Sequence, residues 1–191
     1  MRKLLFFMHT SLDGFIAGPN GELNWAKLDN EIFDFVDSMT ANADTALYGR
    51  VTYQLMESYW PTAADKPNAT KHDKTHSVWY KNVSKLVLST TLNNEGLNNT
   101  VVVSDQLVEN INGIKNQAGR DILIFGSPSA SMSLMRLGLI DEFWLFVNPV
   151  LLGQGKPLFK DATESTQLTL LESKKFASGV IALHYAINRI G

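Results

Sequence analysis

The chain predicts an α/β fold on one central mixed sheet, parallel in its first part. Three observations carry this. Apolar strands alternate with amphipathic helical stretches through the first two-thirds. Several strands run straight into glycine- and hydroxyl-bearing turns that open helices. The last third changes to closely spaced strand patterns, which adds an antiparallel section.

Each element follows in order. Leu4 to Met8 is apolar without alternation, the mark of a strand buried on both faces. Gly14 and Gly18-Pro19-Asn20-Gly21 then make a turn-rich loop. A helix capped by Asp29 or Asn30 runs to about Ala41, with Ile32, Phe33, Val36 and Met39 as its apolar stripe. Thr45 to Tyr48 is a short strand before a helix carrying Leu55, Met56 and Tyr59, which Trp60-Pro61 should end. Residues 61–77 are polar and read as a mobile loop. Lys85 to Ser89 and Val101 to Val103 are strands, and Leu107, Val108, Ile111 and Ile114 form a helix face closed near Gly119. Ile122 to Phe125 leads into Ser127, a natural cap, and Pro128, a natural first helical residue. That helix carries Met132, Met135 and Leu137 and stops at Gly138. Phe143 to Val147, Leu168 to Leu171 and Val180 to Ile187 complete the strands.

Length and composition bound the rest. The 191 residues fit a single domain, 1–191, and 45% hydrophobic content suffices for a sizeable core. With 17 Lys+Arg against 19 Asp+Glu the net charge is -2, so no basic surplus marks a nucleic-acid binder. The chain has no cysteine, which excludes disulfides, thiolate metal sites and cysteine nucleophiles. The apolar start ends at His9-Thr10-Ser11, too short for a signal peptide, and no run approaches ~18 apolar residues. A cytoplasmic location and no membrane partner are expected.

Chemistry is expected beyond the carboxyl ends of the parallel strands. Gly49, Arg50 and Thr52 follow one strand, and Ser89, Thr90 and Thr91 another. Gly126 and Ser127 follow a third, at a helix N-terminus whose dipole favours an anion. Together they suggest a phosphorylated ligand across the sheet edge. No Walker motif or G-x-G-x-x-G is present, and Gly153-Gln154-Gly155 reads as a loop. His72, His76 and Asp73 have spacing compatible with metal ligation, but they fall in the polar loop, so no metal site is assigned. His9 and His184 read as core or edge histidines. No G-x-S-x-G elbow supports a hydrolase. Trp25, Tyr59, Trp60, Trp79 and Tyr80 could stack a planar heterocycle, although most such residues build cores.

The segments SLDGFIAGPNGELNW (Ser11 to Trp25), LYGRVTY (Leu47 to Tyr53), KLVLS, ILIFGSPSASMSLMRLGLIDEF (Ile122 to Phe143) and VNPVLLGQGKPLF (Val147 to Phe159) occur in order over most of the chain. As a set they resemble the dihydrofolate reductase-like superfamily, nearest to the riboflavin-biosynthesis reductase branch (RibD C-terminal domain-like). The resemblance implies a three-layer fold, with helices on both faces of a mostly parallel sheet and a C-terminal antiparallel meander. It implies NADPH as cofactor, a small-molecule substrate and a homodimer. The implied reaction is hydride transfer to a planar heterocycle, carbonyl or imine, as in 5-amino-6-(5-phosphoribosylamino)uracil reductase. Gly49, Arg50 and Thr52 would hold cofactor phosphates, with Arg50 on the 2′-phosphate beside Ser89 and Thr90. Gly126, Ser127 and Ser129 match the turn under the pyrophosphate, where Ser127 and Pro128 replace the glycines usual in the family. Ile16 and Ala17 match the segment beneath the nicotinamide. The catalytic carboxylate would be Glu31, near the start of the helix after Trp25, or Asp13 in SLDG. Two other readings stay open: an NADP-binding module without turnover, and dihydrofolate reduction proper.

Overall fold

The computed structural model describes residues 1–160 and 165–188. The chain runs β1 (Leu4–Ser11), β2 (Phe15–Ala17), α1 (Asn30–Ala41), β3 (Ala43–Gly49), α2 (Arg50–Ala63), α3 (Lys71–Asn82), β4 (Ser84–Leu88) and β5 (Thr100–Val103). It continues with α4 (Leu107–Lys115), β6 (Asp121–Phe125), α5 (Pro128–Arg136), β7 (Glu142–Asn148), β8 (Lys156–Pro157), β9 (Leu168–Lys175) and β10 (Ile181–Ile187). Eight strands form one sheet in the order β5-β4-β3-β6-β1-β7-β10-β9, and β2 pairs with β8 separately. From β5 to β7 the neighbours are parallel, whereas β10 is antiparallel to both β7 and β9. This is the mixed, mostly parallel sheet with an antiparallel C-terminal section that the sequence predicts.

Strand alternation divides the core into two layers. Leu4, Phe6, Leu47, Ile122 and Ile124 pack on one face with Ile111 of α4 and Leu134 of α5. Leu5, Ala46, Tyr48 and Leu123 point the other way, toward Ile32 and Val36 of α1, Tyr53 of α2 and Tyr80 of α3. Helices therefore cover both faces, which is why β1 reads as continuously apolar. Each fully buried Leu, Ile or Phe contributes about 1.5–3 kcal/mol.

Strand order also locates a crevice. From β3 the chain moves outward to β4 and β5. From β6, the neighbour of β3, it moves the opposite way, across β1 to β7. Adjacent strands whose connections diverge leave a gap at their carboxyl ends, where ligands of open α/β sheets bind.

Two expectations for residues 50–82 are corrected. Helix α2 runs through Pro61 to Ala63. The proline sits in the last turn and removes only one ladder donor, and the carbonyl of Trp60 accepts a bond from Ser77 Oγ (2.7 Å). Of the stretch 61–77 read as a loop, residues 61–63 finish α2 and residues 71–77 open helix α3, leaving only 64–70 outside a helix. Its amphipathicity is weak, but Thr70 caps it and Asp73 closes the reciprocal bond, a capping box. The T-x-x-D spacing at Thr70–Asp73 was the available signal. Strands β2 and β8 are too short for periodicity to reveal.

Candidate active site

Two cavities open at the crevice. The larger, of about 780 Å³, is a polar groove over the carboxyl ends of β3, β4 and β6. Gly49, Arg50, Thr52, Ser89, Thr90, Ser127 and Ser129 all line it. The structure thus brings these sequence-predicted phosphate residues together.

Its electrostatics come from helix ends. Gly49 precedes α2 and Ser127 precedes α5, and neither helix has a side-chain cap bond. The leading N–H groups of both helices are therefore without intrahelical partners at the groove, with the positive ends of two dipoles. Pro128 removes one donor at α5, leaving those of Ser129 and Ala130. Arg50 is exposed, with a 3.4 Å contact to Gln54, and Lys156 also lines the groove.

Ser127 does not cap α5 with its hydroxyl, as the sequence suggested. Its Oγ accepts from the Gly49 N–H (3.0 Å) and donates to the Phe125 carbonyl (3.2 Å), tying β3 to β6 across the crevice. Gly126 (φ 58°) and Ser127 (φ 52°) are consecutive left-handed residues. A side chain at Ser127 costs about 1–2 kcal/mol in that conformation, which its two hydrogen bonds offset. Ser89 is also locally engaged, accepting from the N–H groups of Thr91 (3.1 Å) and Leu92 (3.0 Å). Thr90 stays exposed in the groove.

The second cavity, about 330 Å³, adjoins the first: Thr52 lines both, and Gly126 lines the second beside Ser127 in the first. Its wall is aromatic and aliphatic. Trp25 and Leu28 come from the loop before α1, Ile32, Phe33 and Val36 from α1, Met56 and Trp60 from α2, and Phe7 and Phe125 from the sheet. Ile16 lines it, whereas Ala17 is buried behind in β2. There Gly155 packs so closely that a Cβ would lie 2.2 Å from the Ala17 carbonyl oxygen, so the Gly153-Gln154-Gly155 loop admits no side chain at that point.

Neither predicted carboxylate lines either cavity. Glu31 points away from Ile32, is exposed, and accepts the Ala177 N–H (2.9 Å). Asp13 accepts from Ser11 Oγ (2.6 Å) and from the Leu152 and Gly153 N–H groups. These bonds, the Ser11 hydroxyl foremost, hold its carboxyl below the usual range. The two residues fasten loops. Asp29, for its part, caps α1 by accepting from Ile32 N–H (2.9 Å). Glu31→Ala should change stability by no more than about 0.5 kcal/mol, because water can take the Ala177 amide. A urea titration checks this, and a loss above about 1 kcal/mol would mean the Ala177 bond is structural.

The titratable groups that do line the apolar cavity are Tyr48 and three histidines that the sequence placed in the core or in a loop. His9, His72 and His76 all face it. Burial pushes the His9 pKa down to about 4, and burial together with His72 pushes His76 down to about 3. Both are neutral near pH 7. Buried Asn148 sits beside His9: its Oδ1 accepts from Lys27 N–H (2.8 Å), and its Nδ2, which donates to the Phe146 (3.0 Å) and Thr10 (3.2 Å) carbonyls, lies 3.3 Å from His9 Nδ1. His72 Nδ1 lies 3.0 Å from Asp37 Oδ1. Potential ligand atoms of Asp37, His72 and His76 fall within 4.8 Å of one another, so Asp37, rather than the Asp73 of the sequence reading, completes that cluster. The helix α3, absent from the sequence reading, is what brings them inward.

Among the described residues, no helix is long and apolar enough to cross a membrane. The family described as RibD C-terminal domain matches residues 2–182. The chain is 35% identical over 189 residues to the uncharacterized protein YyaP of Bacillus subtilis (strain 168), covering 98% of this chain and 96% of that one. A solved structure from Thermotoga maritima is similar in fold, with TM-score 0.68 and 15% identity over 98% of this chain and 57% of that one. It is the diaminohydroxyphosphoribosylaminopyrimidine deaminase/5-amino-6-(5-phosphoribosylamino)uracil reductase. Dihydrofolate reductase from Enterococcus faecalis, complexed with NADP(H), superposes with TM-score 0.63 at 15% identity, over 98% and 97% of the two chains.

Proposed function

Because the chain belongs to the RibD C-terminal domain family, we propose that it is an NADPH-dependent reductase of a small planar substrate. The observation that carries this reading is the meeting of two unlike cavities at Thr52 and Gly126. The groove fits a dinucleotide carrying phosphates, through two uncapped helix N-termini, Arg50, Lys156 and hydroxyls. The apolar cavity beside it fits a flat ring. When bound, NADPH would supply the hydride to a C=O or C=N carbon, and a proton from solvent would complete the CH–OH or CH–NH product. The chain's residues position, exclude water and donate hydrogen bonds. Ser127 and Gly49 fix the spacing of the two helix ends, Arg50 takes the 2′-phosphate, and His9 presents a neutral imidazole in the apolar cavity. A homodimer belongs to the same proposal. Its candidate face is the edge strand β9, where Leu168, Leu170 and Leu171 are exposed.

Dihydrofolate reduction proper fits less well. The family's carboxylate has no counterpart among the described cavity-lining residues, since Glu31 faces away.

The test is a pair of thermal titrations with NADPH and NADH. NADPH should stabilise the protein more. Arg50→Ala should weaken NADPH by roughly 10–150-fold, equivalent to about 1.5–3 kcal/mol for a hydrogen bond to a charged group, and leave NADH unchanged. Equal stabilisation of the wild type by both cofactors would overturn the assignment of Arg50. NADPH binding without consumption across pterin, pyrimidine and carbonyl substrates would favour a binding module instead.

A further inference from the structure

We infer that the aromatic cavity takes an uncharged, flat aromatic molecule bearing no phosphate, an inference that rests on the reductase reading and names its substrate class. Cations and apolar surface are segregated between the two cavities. Arg50 and Lys156 lie on the groove, whereas no Lys, Arg, Asp or Glu is among the residues described as lining the cavity.

Ring faces define the cavity's shape. Phe33 and His72 stack at 4.2 Å and 8°, with Trp60 edge-on to His72 at 5.6 Å and 88°. Trp60 also lies 4.2 Å from His76. Such walls favour offset or edge contacts with another ring. The polar groups on offer are the Thr52 and Tyr48 hydroxyls and the imidazoles, enough to orient one carbonyl or ring nitrogen. A phosphate entering here would shed its hydration with no Lys or Arg among the described lining residues to receive it, at a cost of several kcal/mol. About 330 Å³ also lies near the lower end of the roughly 300–1,000 Å³ usual for ligand sites. It suits a one- or two-ring molecule, not one extended by a sugar phosphate. The substrate therefore differs in class from the phosphoribosyl compound named for the Thermotoga maritima protein.

The matched probes are 1-naphthol and 1-naphthyl phosphate, titrated calorimetrically into the full chain, alone and saturated with NADP⁺. Naphthol should bind at least about tenfold more tightly than its phosphate ester. Leu28→Arg places a guanidinium at the exposed rim and should erase or invert that ratio. The inference is overturned if the wild type prefers the phosphate ester, or if neither probe binds protein that NADP⁺ has stabilised. If NADP⁺ produces no stabilisation, the reductase reading fails on its own. The naphthol preference measured on the protein alone still decides the character of the cavity.

Discussion

Lys115→Ala is expected to cost about 3–5 kcal/mol, from truncating a fully buried side chain and withdrawing the cation from a partly exposed Asp141. Lys115 is the last residue of α4 and is only 1% exposed. Its Nζ donates to the Leu139 carbonyl (3.1 Å) and pairs with Asp141 (2.7 Å), while its own carbonyl accepts from Arg2 N–H (2.9 Å). Asp141 in turn accepts from Leu4 N–H (2.8 Å). One ammonium thus joins α4, the link from α5 to β7, and the start of β1. Alanine leaves the Leu139 carbonyl short of a donor, removes the cation from Asp141 and opens a void where the stem packed. For a chain of this size the melting temperature should fall by about 6–20 °C. Lys115→Met, which keeps the stem, should cost less, and the difference between the variants measures the packing share. All these groups lie at the amino ends of the strands, opposite the groove, so the NADPH-induced shift should persist in both variants. A loss below about 1 kcal/mol in the alanine variant would show that the cation contributes little.

The second large effect is on acid stability. In the unfolded chain His9 and His76 titrate near 6.5. In the folded chain burial lowers them to about 4 and about 3. Above pH 6.5 both states carry neutral imidazoles and stability is flat in pH. Below it the unfolded chain takes up protons that the folded chain refuses, so each group removes about 1.4 kcal/mol per pH unit. The loss from His9 ends near pH 4 and that from His76 near pH 3. By pH 4 the pair removes about 6 kcal/mol, comparable to the entire stability of many domains. Urea midpoints measured between pH 7.5 and pH 4.5 should fall steeply, and His9→Gln or His76→Gln should each remove about half of that slope. An unchanged slope in both variants would show that these imidazoles accept protons in the fold.

The sheet and the groove were legible in the sequence for a common reason. The parallel strands are sandwiched, so their apolar runs are unbroken, and residues at their ends must be small or hydroxyl-bearing wherever the chain turns into a helix. Gly49, Arg50, Thr52, Ser89, Thr90, Gly126, Ser127 and Ser129 share that position and converge on the crevice. What escaped depended on partners remote in sequence. Helix α3 has a weak stripe because aromatic rings and histidines share its inner face, and only the Thr70–Asp73 capping box signals its start. Glu31 and Asp13 hold positions along a motif, which does not by itself say what they face. Which side of α1 or of the first turn faces the cavity is set by Ala177 and by the Leu152–Gly153 loop, 146 and about 140 residues away. His9 reads as an ordinary core histidine, and its place on the cavity wall beside Asn148, 139 residues further along, leaves no local signal.

The insertion of β6 between β3 and β1 also sets an order of events. Gly49 and Ser127, whose bond spans the crevice, are 78 residues apart. At ~5–20 residues per second of synthesis, β1 and β3 wait on the order of ten seconds for β6 to be made. During that interval each exposes a long apolar edge to any other strand. The groove consequently cannot exist before β6 and α5 are made, and no ligand of that groove can assist the steps that precede it.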